Sequence, residues 1–160
     1  MKKFGYALIA ALIIIQFFSI EKNVSTTPAE QDISKLYAVP ADVAAILKTS
    51  CNDCHSNNTI YPWYSKIQPV AWWLQHHVNE GKHELNFNEF ASYSIRRQYR
   101  KLEEVIEQVK ENEMPLGSYT LIHKDAVLSE QQKATLTNWA QSIRDSIKAK
   151  YPADSLVKKH

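Results

Sequence analysis

The sequence predicts an all-α protein of about four helices, and three observations carry this prediction. The 160 residues include only three glycines, which leaves little β-turn chemistry and no glycine-rich phosphate or dinucleotide loop. From residue 40 onward, apolar residues recur at intervals of three and four, as they do on one face of a helix. The chain is 44% hydrophobic and 22% charged, a balance typical of one globular domain rather than of a disordered chain.

The first two predicted helices flank a pair of cysteines. One begins at Pro40 and runs straight into Cys51, with its apolar residues on one face. The other starts near Pro69, and Gly81 is its expected end because glycine commonly follows the last turn of a helix. The apolar side of this second helix carries Val70, Trp73, Leu74, His77 and Val78.

The last two predicted helices make up the carboxyl-terminal half. The third covers about residues 89–112, and Pro115 prevents its continuation because the residue before a proline is disfavoured in the α conformation. The fourth begins at Ser129, which is spaced to form a capping box with Gln132. Residues 148–160 are expected to be a frayed tail.

Residues 1–20 have the pattern of an export segment. Lys2 and Lys3 precede an uncharged, apolar run from residue 4 to residue 20, and a basic start followed by an apolar core is typical of a signal peptide. The run is at the short limit for crossing a bilayer, and no small-x-small cleavage site is evident, so an uncleaved anchor is favoured over a cleaved signal peptide. The lysines predict a cytoplasmic amino terminus and a periplasmic domain tethered to the inner membrane.

The remaining chain divides into a polar tether at residues 21–38 and a domain at residues 39–147. The whole chain has 19 Lys and Arg against 17 Asp and Glu. Omitting Lys2 and Lys3 leaves 17 of each, so the exported part is neutral. A neutral domain gives no reason to expect a nucleic-acid partner.

The chemistry of the chain is concentrated in the motif Cys51-Asn52-Asp53-Cys54-His55. C-x-x-C-H is the attachment signature of c-type haem. Two cysteines three apart on a helical turn project to one side, where each thiol can form a thioether with a haem vinyl group. The adjacent His55 can then direct its imidazole to the iron as an axial ligand. The motif uses both cysteines of the chain, and it predicts one covalent haem c.

Three other interpretations of the cysteines are weaker. A disulfide between Cys51 and Cys54 would close a very small loop and stabilise the fold little. A thiol–disulfide exchange motif requires a βαβ context, which the helical pattern lacks. A zinc site requires a second pair of Cys or His ligands at a matching spacing, and the sequence contains none.

The wider pattern resembles a known family. A helix leading into C-x-x-C-H, a later Met-Pro and a closing helix beginning LSEQQKATLTNWA are similar to the class I cytochrome c plan. The stretch YPWYSKIQPVAWWLQHHVNEGKHELNF resembles, more narrowly, the small haem-binding domain family of monohaem proteins of Bacteroidetes-type bacteria. The resemblance covers about residues 38–147. It implies a cytochrome c-like bundle around one covalent haem and a periplasmic redox role.

Met114 is the expected sixth ligand of the iron. It is the only methionine apart from the initiator, and it precedes Pro115, which favours an extended loop able to reach across a haem face. A thioether is a soft, neutral ligand that raises the potential of haem iron. Methionine more often fills core gaps, so His77, His123 and an open position stay as alternatives.

His55 also requires an acceptor for its second ring N–H, which would fix its tautomer. Class I cytochromes generally supply a proline-associated carbonyl after the haem motif, and Pro62 and Pro69 are the candidates here. The neighbouring aromatic residues could wall the haem or simply pack in the core. They are Trp63, Tyr64, Trp72, Trp73 and Tyr119.

The expected function is electron transfer rather than catalysis. Two filled axial positions leave no site for a substrate, and no acid–base pair or nucleophile is evident elsewhere in the sequence. The expected partners are respiratory or peroxidase-type redox proteins, and the carrier is expected to be a monomer. A haem peroxidase-like enzyme and a haem-based redox or gas sensor are the alternatives, and both need a displaceable sixth ligand.

Overall fold

The computed structural model describes residues 2–157, and the regular secondary structure in this range is helical. A lone antiparallel bridge between Val24 and Asn58 is the one β contact in these residues. The all-α prediction is confirmed. The α-helices are α1 (Lys2–Ile15), α2 (Ala41–Ser50), α3 (Asn52–His55), α4 (Val70–Glu84), α5 (Ile95–Lys110), α6 (Gly117–Thr120), α7 (Glu130–Lys150) and α8 (Ala153–Leu156).

The antiparallel pairing of α5 with α7 is the most extensive helix contact of the domain. Each helix has apolar residues three and four apart, which form one buried face. The buried apolar residues of the two helices are Leu102, Ile106, Val109, Leu136, Trp139, Ala140, Ile143 and Ile147. Full burial of one such side chain stabilises the fold by about 1.5–3 kcal/mol, so this pair forms the base on which the other helices pack.

Helix α2 packs against α7 and ends where the cysteine motif begins. Its inner face buries Val43, Ile46 and Leu47, as the spacing predicts. The indole N–H of Trp139 donates to the carbonyl of Ala38 (3.0 Å) and thereby fixes the chain just before α2. The start of the motif is therefore placed by contacts with the core.

Two predicted helix boundaries are wrong, and part of the predicted frayed tail is helical. Gly81 lies inside α4, which continues to Glu84. Helix α5 starts only at Ile95, after a 3₁₀ segment, Phe87–Ser92, that buries two phenylalanines. Beyond residue 148, α7 continues to Lys150 and α8 buries Leu156. The capping box of Ser129 and Gln132 at the start of α7 is present as predicted.

The segment at residues 21–38, where the sequence suggests a polar tether, contacts the domain. Its Ile33 is 2% exposed and belongs to the main apolar core. The amide of Asn23 donates to the hydroxyl of Tyr61 (2.7 Å), and the Asn23 side chain donates to the carbonyl of Ser56 (2.9 Å). These contacts link the segment to the loop that follows the cysteine motif.

Helix α1 has no buried residue. The chain after it is held at the start of α4, where Gln16 and Gln68 exchange hydrogen bonds of 3.0 and 2.9 Å between side chain and backbone. Within residues 2–157, no helix is both long enough and apolar enough to cross a membrane. Met1 and residues 158–160, which belong to the expected export segment and tail, lie outside the described residues.

Truncation of Ile33 tests whether the segment before α2 belongs to the folded unit. Ile33→Ala should lower the free energy of unfolding by about 2–5 kcal/mol because it leaves a cavity in the core. Leu36→Ala is the matched control, since Leu36 is 49% exposed and its truncation should change stability by no more than about 0.5 kcal/mol. Urea denaturation of both variants measures the difference, and equal effects would contradict the packing of this segment.

Candidate functional site

The cysteine motif forms one helical turn. Cys51 links α2 to α3, and the amides of Cys54 and His55 both donate to the carbonyl of Cys51 (3.2 and 3.0 Å). This turn brings both cysteines and His55 to one side, where they line a cavity. Both cysteines are free thiols. The arrangement that the spacing predicts for these three side chains is therefore present.

Two adjoining cavities lie beside this turn, with volumes of about 320 and 260 Å³. The larger extends toward α5 and α7 and has a mainly apolar lining. The smaller extends along α4 toward α6. The volume of the larger cavity lies at the lower end of the range typical of small-molecule and cofactor sites, and the volume of the smaller one lies just below that range. The residues that line both are Ser50, Cys51, His55, Glu84, Met114 and Pro115.

The imidazole of His55 is fixed by a backbone carbonyl at the end of α4. Its Nδ1 lies 2.9 Å from the carbonyl oxygen of Leu85, and this oxygen can only accept a hydrogen bond, so Nδ1 carries the proton and Nε2 is free to bind a metal. Burial lowers the pKa of His55, and the carbonyls of Leu85 and Gly81 partly oppose that effect. A neutral imidazole is the form that ligates iron.

The two predicted acceptors for the second ring N–H of His55 are therefore wrong. Neither Pro62 nor Pro69 provides the accepting carbonyl, because α4 continues past Gly81 and its carboxyl-terminal end reaches the histidine. The function of the acceptor is as expected, but the carbonyl comes from the end of a helix rather than from a proline-associated loop.

Gly81 allows the cysteine motif to lie directly against α4. A Cβ at this position would lie 2.7 Å from the carbonyl oxygen of Cys54 and 2.9 Å from its Cβ. Both distances are shorter than van der Waals contact, so a side chain here would push the two helices apart. The glycine that the sequence suggests as a helix end is a close-approach residue instead.

The two thiols are in an environment that keeps them protonated. Burial, and next the proximity of Cys54, raise the pKa of Cys51 to about 12. Burial, and next the charge of Asp53, raise the pKa of Cys54 to about 11. Thiol–disulfide exchange depends on a thiolate with a lowered pKa. The site therefore lacks the electrostatics of a redox dithiol.

Met114 is placed by the loop that follows α5. The amides of Glu113 and Met114 donate to the carbonyl of Gln108 (2.9 and 3.1 Å). Met114 is half-buried and lines both cavities together with His55. The structure thus brings the two expected axial ligands to a common site, although they are 59 residues apart in the sequence.

A hydrogen bond connects the Met114 loop to the cysteine motif. Tyr119, on α6, donates its hydroxyl to Oδ2 of Asp53 (2.8 Å). Burial, and next this bond, raise the pKa of Tyr119, so the phenol stays protonated as the donor. Asp53 also accepts at Oδ1 from the amide of Ile60 (2.9 Å). Asp53, one of the two residues between the cysteines, therefore connects the motif to both neighbouring loops.

The two alternative histidines occupy different environments. His77, on α4, lines the smaller cavity and packs against Trp73, with ring centroids 4.3 Å apart. His123 does not line either of the two cavities described. Its Nε2 lies 2.7 Å from the hydroxyl of Tyr64, and its ring stacks on Tyr119. Of the two alternative histidines, His77 shares a cavity with Met114 and His123 does not.

A charged cluster that the sequence prediction lacks lies at the larger cavity. Lys101, on α5, has a side chain that is 5% exposed and forms ion pairs with Glu84 (2.9 Å) and Glu104 (2.6 Å). The hydrogen bond from Lys101 lowers the pKa of Glu84. Lys101 lies three residues after Gln98 and directly before Leu102, among the buried positions of α5, so a lysine on the inward face of a helix is the signal in the sequence.

Comparison with known families agrees with this geometry. A model of the haem-binding domain family matches residues 10–142, which is most of the chain. The chain belongs to the haem-binding domain family. The match begins within α1, upstream of the region where the resemblance was expected to start. No curated protein and no solved structure matches the chain.

The residues present at the site fit a haem. The lining is mainly apolar, as a porphyrin requires, and it includes two free thiols, the imidazole of His55 and the thioether of Met114. Thiol, imidazole and thioether groups are side chains that can hold a haem or its iron. The donor set, rather than the volume alone, favours this cofactor.

Gly81→Ala tests the close contact between α4 and the cysteine motif. The added methyl group should destabilise the chain by about 1–3 kcal/mol, since the backbone must shift to accommodate it, and should reduce the haem content per chain. Gly117→Ala is the control, because a Cβ at Gly117 meets nothing within 4 Å. Urea denaturation and the absorbance of purified protein measure both effects, and equal behaviour of the two variants would contradict the contact.

Proposed function

We propose that this haem-binding protein is a monohaem c-type cytochrome that transfers electrons. The observation that supports this most is the placement of Cys51, Cys54 and His55 on one turn, facing a cavity that Met114 also lines. A haem held by these residues supplies the Fe(III)/Fe(II) couple. Covalent attachment would keep the group in place in addition to its non-covalent contacts with the cavity. The proposal therefore gives each of these four residues a part in holding one haem.

The protein's own residues would set the properties of this couple. Leu85 fixes the proton on Nδ1 of His55 and so orients Nε2 for ligation. Met114 would contribute a neutral sulfur, which favours the reduced iron and raises the potential. Apolar side chains that line the larger cavity, among them Val105, Val109 and Leu136, would limit reorganisation around the haem when its charge changes. These are the requirements of a carrier, since it must exchange an electron without binding a substrate.

Replacement of Met114 tests the proposed ligand set. In protein that has been loaded with haem, Met114→Ala should abolish the charge-transfer band between methionine sulfur and ferric iron and lower the midpoint potential. His77→Ala is the matched variant, because His77 lines the same cavity, and it should leave the band in place. Loss of the band in His77→Ala alone would assign the sixth position to the histidine, and an unchanged Met114→Ala would exclude the methionine.

Carbon monoxide separates a carrier from an enzyme or a gas sensor. With both axial positions filled, the spectrum of the reduced protein should not change when the gas is added. Rapid formation of a carbon monoxide complex would overturn the carrier assignment. The polar residues of the smaller cavity, His76, His77 and Glu80, would then be candidates for acid–base groups. A peroxide turnover assay would distinguish peroxidase-like activity from sensing.

We also propose a periplasmic location, with the amino-terminal segment as a tether and redox proteins as partners. Helix α1 supports this, because it is rich in apolar residues that no other part of the described chain covers, among them Phe4, Leu8 and Ile13. A tether would raise the effective concentration of the haem domain near membrane-bound partners. Cell fractionation should place the protein in the membrane fraction, released by detergent and not by salt, and recovery with cytoplasmic proteins would contradict the proposal.

A further inference from the structure

The lining of the larger cavity is mainly apolar, and its charged residues lie together. Glu84, Lys101 and Glu104 form this cluster, and the polar Gln108 follows one turn later on α5. Among the residues that line the two cavities in the described chain, Lys101 is the only lysine or arginine. A ligand with a large apolar body and carboxylates on one edge matches this distribution. A porphyrin with propionate side chains is such a ligand.

The burial of Lys101 differs from that of its two partners. The Lys101 side chain is 5% exposed, whereas the side chains of Glu84 and Glu104 are 63% and 38% exposed. The glutamates therefore have room to turn toward solvent, but the ammonium group does not. A buried cation that lost its partners would carry a large desolvation cost. Any rearrangement in this cluster must consequently leave Lys101 paired with an anion.

The ammonium group of Lys101 also has donor capacity beyond its two ion pairs. It carries three N–H donors, and the hydrogen bonds found within residues 2–157 direct it to two acceptors, Glu84 and Glu104. A third carboxylate can therefore be accommodated beside the glutamates or in place of one of them. Hydrogen bonds between an ammonium and a carboxylate are among the stronger ones in proteins.

We infer that Lys101 is the propionate-binding residue of this site and fixes the orientation of the porphyrin in the cavity. The inference rests on the haem binding described above and adds a residue toward which no motif points. Glu84 and Glu104 compete with the propionates for the same ammonium group. Lys101 is thus a positioning residue. It would pair with the carboxylates of the cofactor, whereas Cys51 and Cys54 would bond to its vinyl groups.

Binding of two metal-free porphyrins to the unloaded full-length chain tests this inference. Protoporphyrin IX and its dimethyl ester share the macrocycle and differ only in whether the propionates are charged, and the absence of iron removes His55 and Met114 ligation from the comparison. Quenching of tryptophan emission reports the affinity. The wild-type chain should bind the diacid about tenfold more tightly than the diester, as expected for one charge-assisted hydrogen bond. Equal affinities would overturn the inference.

Variants at the cluster separate propionate binding from a purely structural role. Lys101→Met should abolish the preference for the diacid, and Lys101→Arg should retain it. Glu84→Gln combined with Glu104→Gln should strengthen diacid binding, because it removes both competitors. If Lys101 only neutralised the two glutamates, this double variant would bind the diacid no more tightly than the wild-type chain. An unchanged affinity for the diacid would therefore count against the inference, even if Lys101→Met folds poorly.

Lys133→Met is the matched control. Lys133 also lies on a long helix, is 18% exposed at its side chain and pairs with a glutamate three residues away, Glu130, but it does not line either cavity. It should keep the wild-type preference for the diacid, and a loss of preference here would contradict the assignment to Lys101. Failure of both porphyrins to bind the wild-type chain would instead contradict the haem cavity itself, and with it the proposed function.

Discussion

The contact between the cysteine motif and α4 is the constraint on which the site depends. Gly81 lets the two helices approach until the carbonyl of Cys54 lies where a side chain would otherwise be. One turn later, the carbonyl of Leu85 reaches Nδ1 of His55. A larger separation would remove this acceptor and leave a buried ring nitrogen without a partner, at a cost of about 1–3 kcal/mol. The orientation of His55 therefore depends on the close packing of the cysteine motif against α4.

The methionine side of the site depends on the packing of α5 against α7. Met114 follows α5, and α5 is held in place by its packing on α7. The motif turn and the methionine loop thus follow two different helices, α2 and α5, that both pack on α7, and the hydrogen bond between Tyr119 and Asp53 connects them. The two cavities lie between these segments. The relative position of the two expected ligands therefore depends on the whole fold rather than on either loop.

The sequence predicts the parts of the site that local geometry controls. The three-residue spacing of Cys51 and Cys54 is sufficient to place both on one face of a turn, and periodicity is sufficient to predict that α2 leads into it. The acceptor for His55 could not be predicted, because any residue can supply a backbone carbonyl and the choice depends on how two helices cross. The role of Gly81 could not be predicted for a related reason. A glycine that ends a helix and a glycine that permits a close crossing look the same in sequence.

The placement of Lys101 also bears on how the chain exists before a cofactor is attached. A buried ammonium at the edge of an apolar cavity is tolerated only if anions compensate it, and Glu84 and Glu104 do so from partly exposed positions. A ligand carboxylate would exchange one anionic partner of the ammonium group for another, so the inferred binding would leave no buried charge uncompensated. The two glutamates thus compensate Lys101 in the unloaded chain, and their partial exposure would let them give way to a ligand.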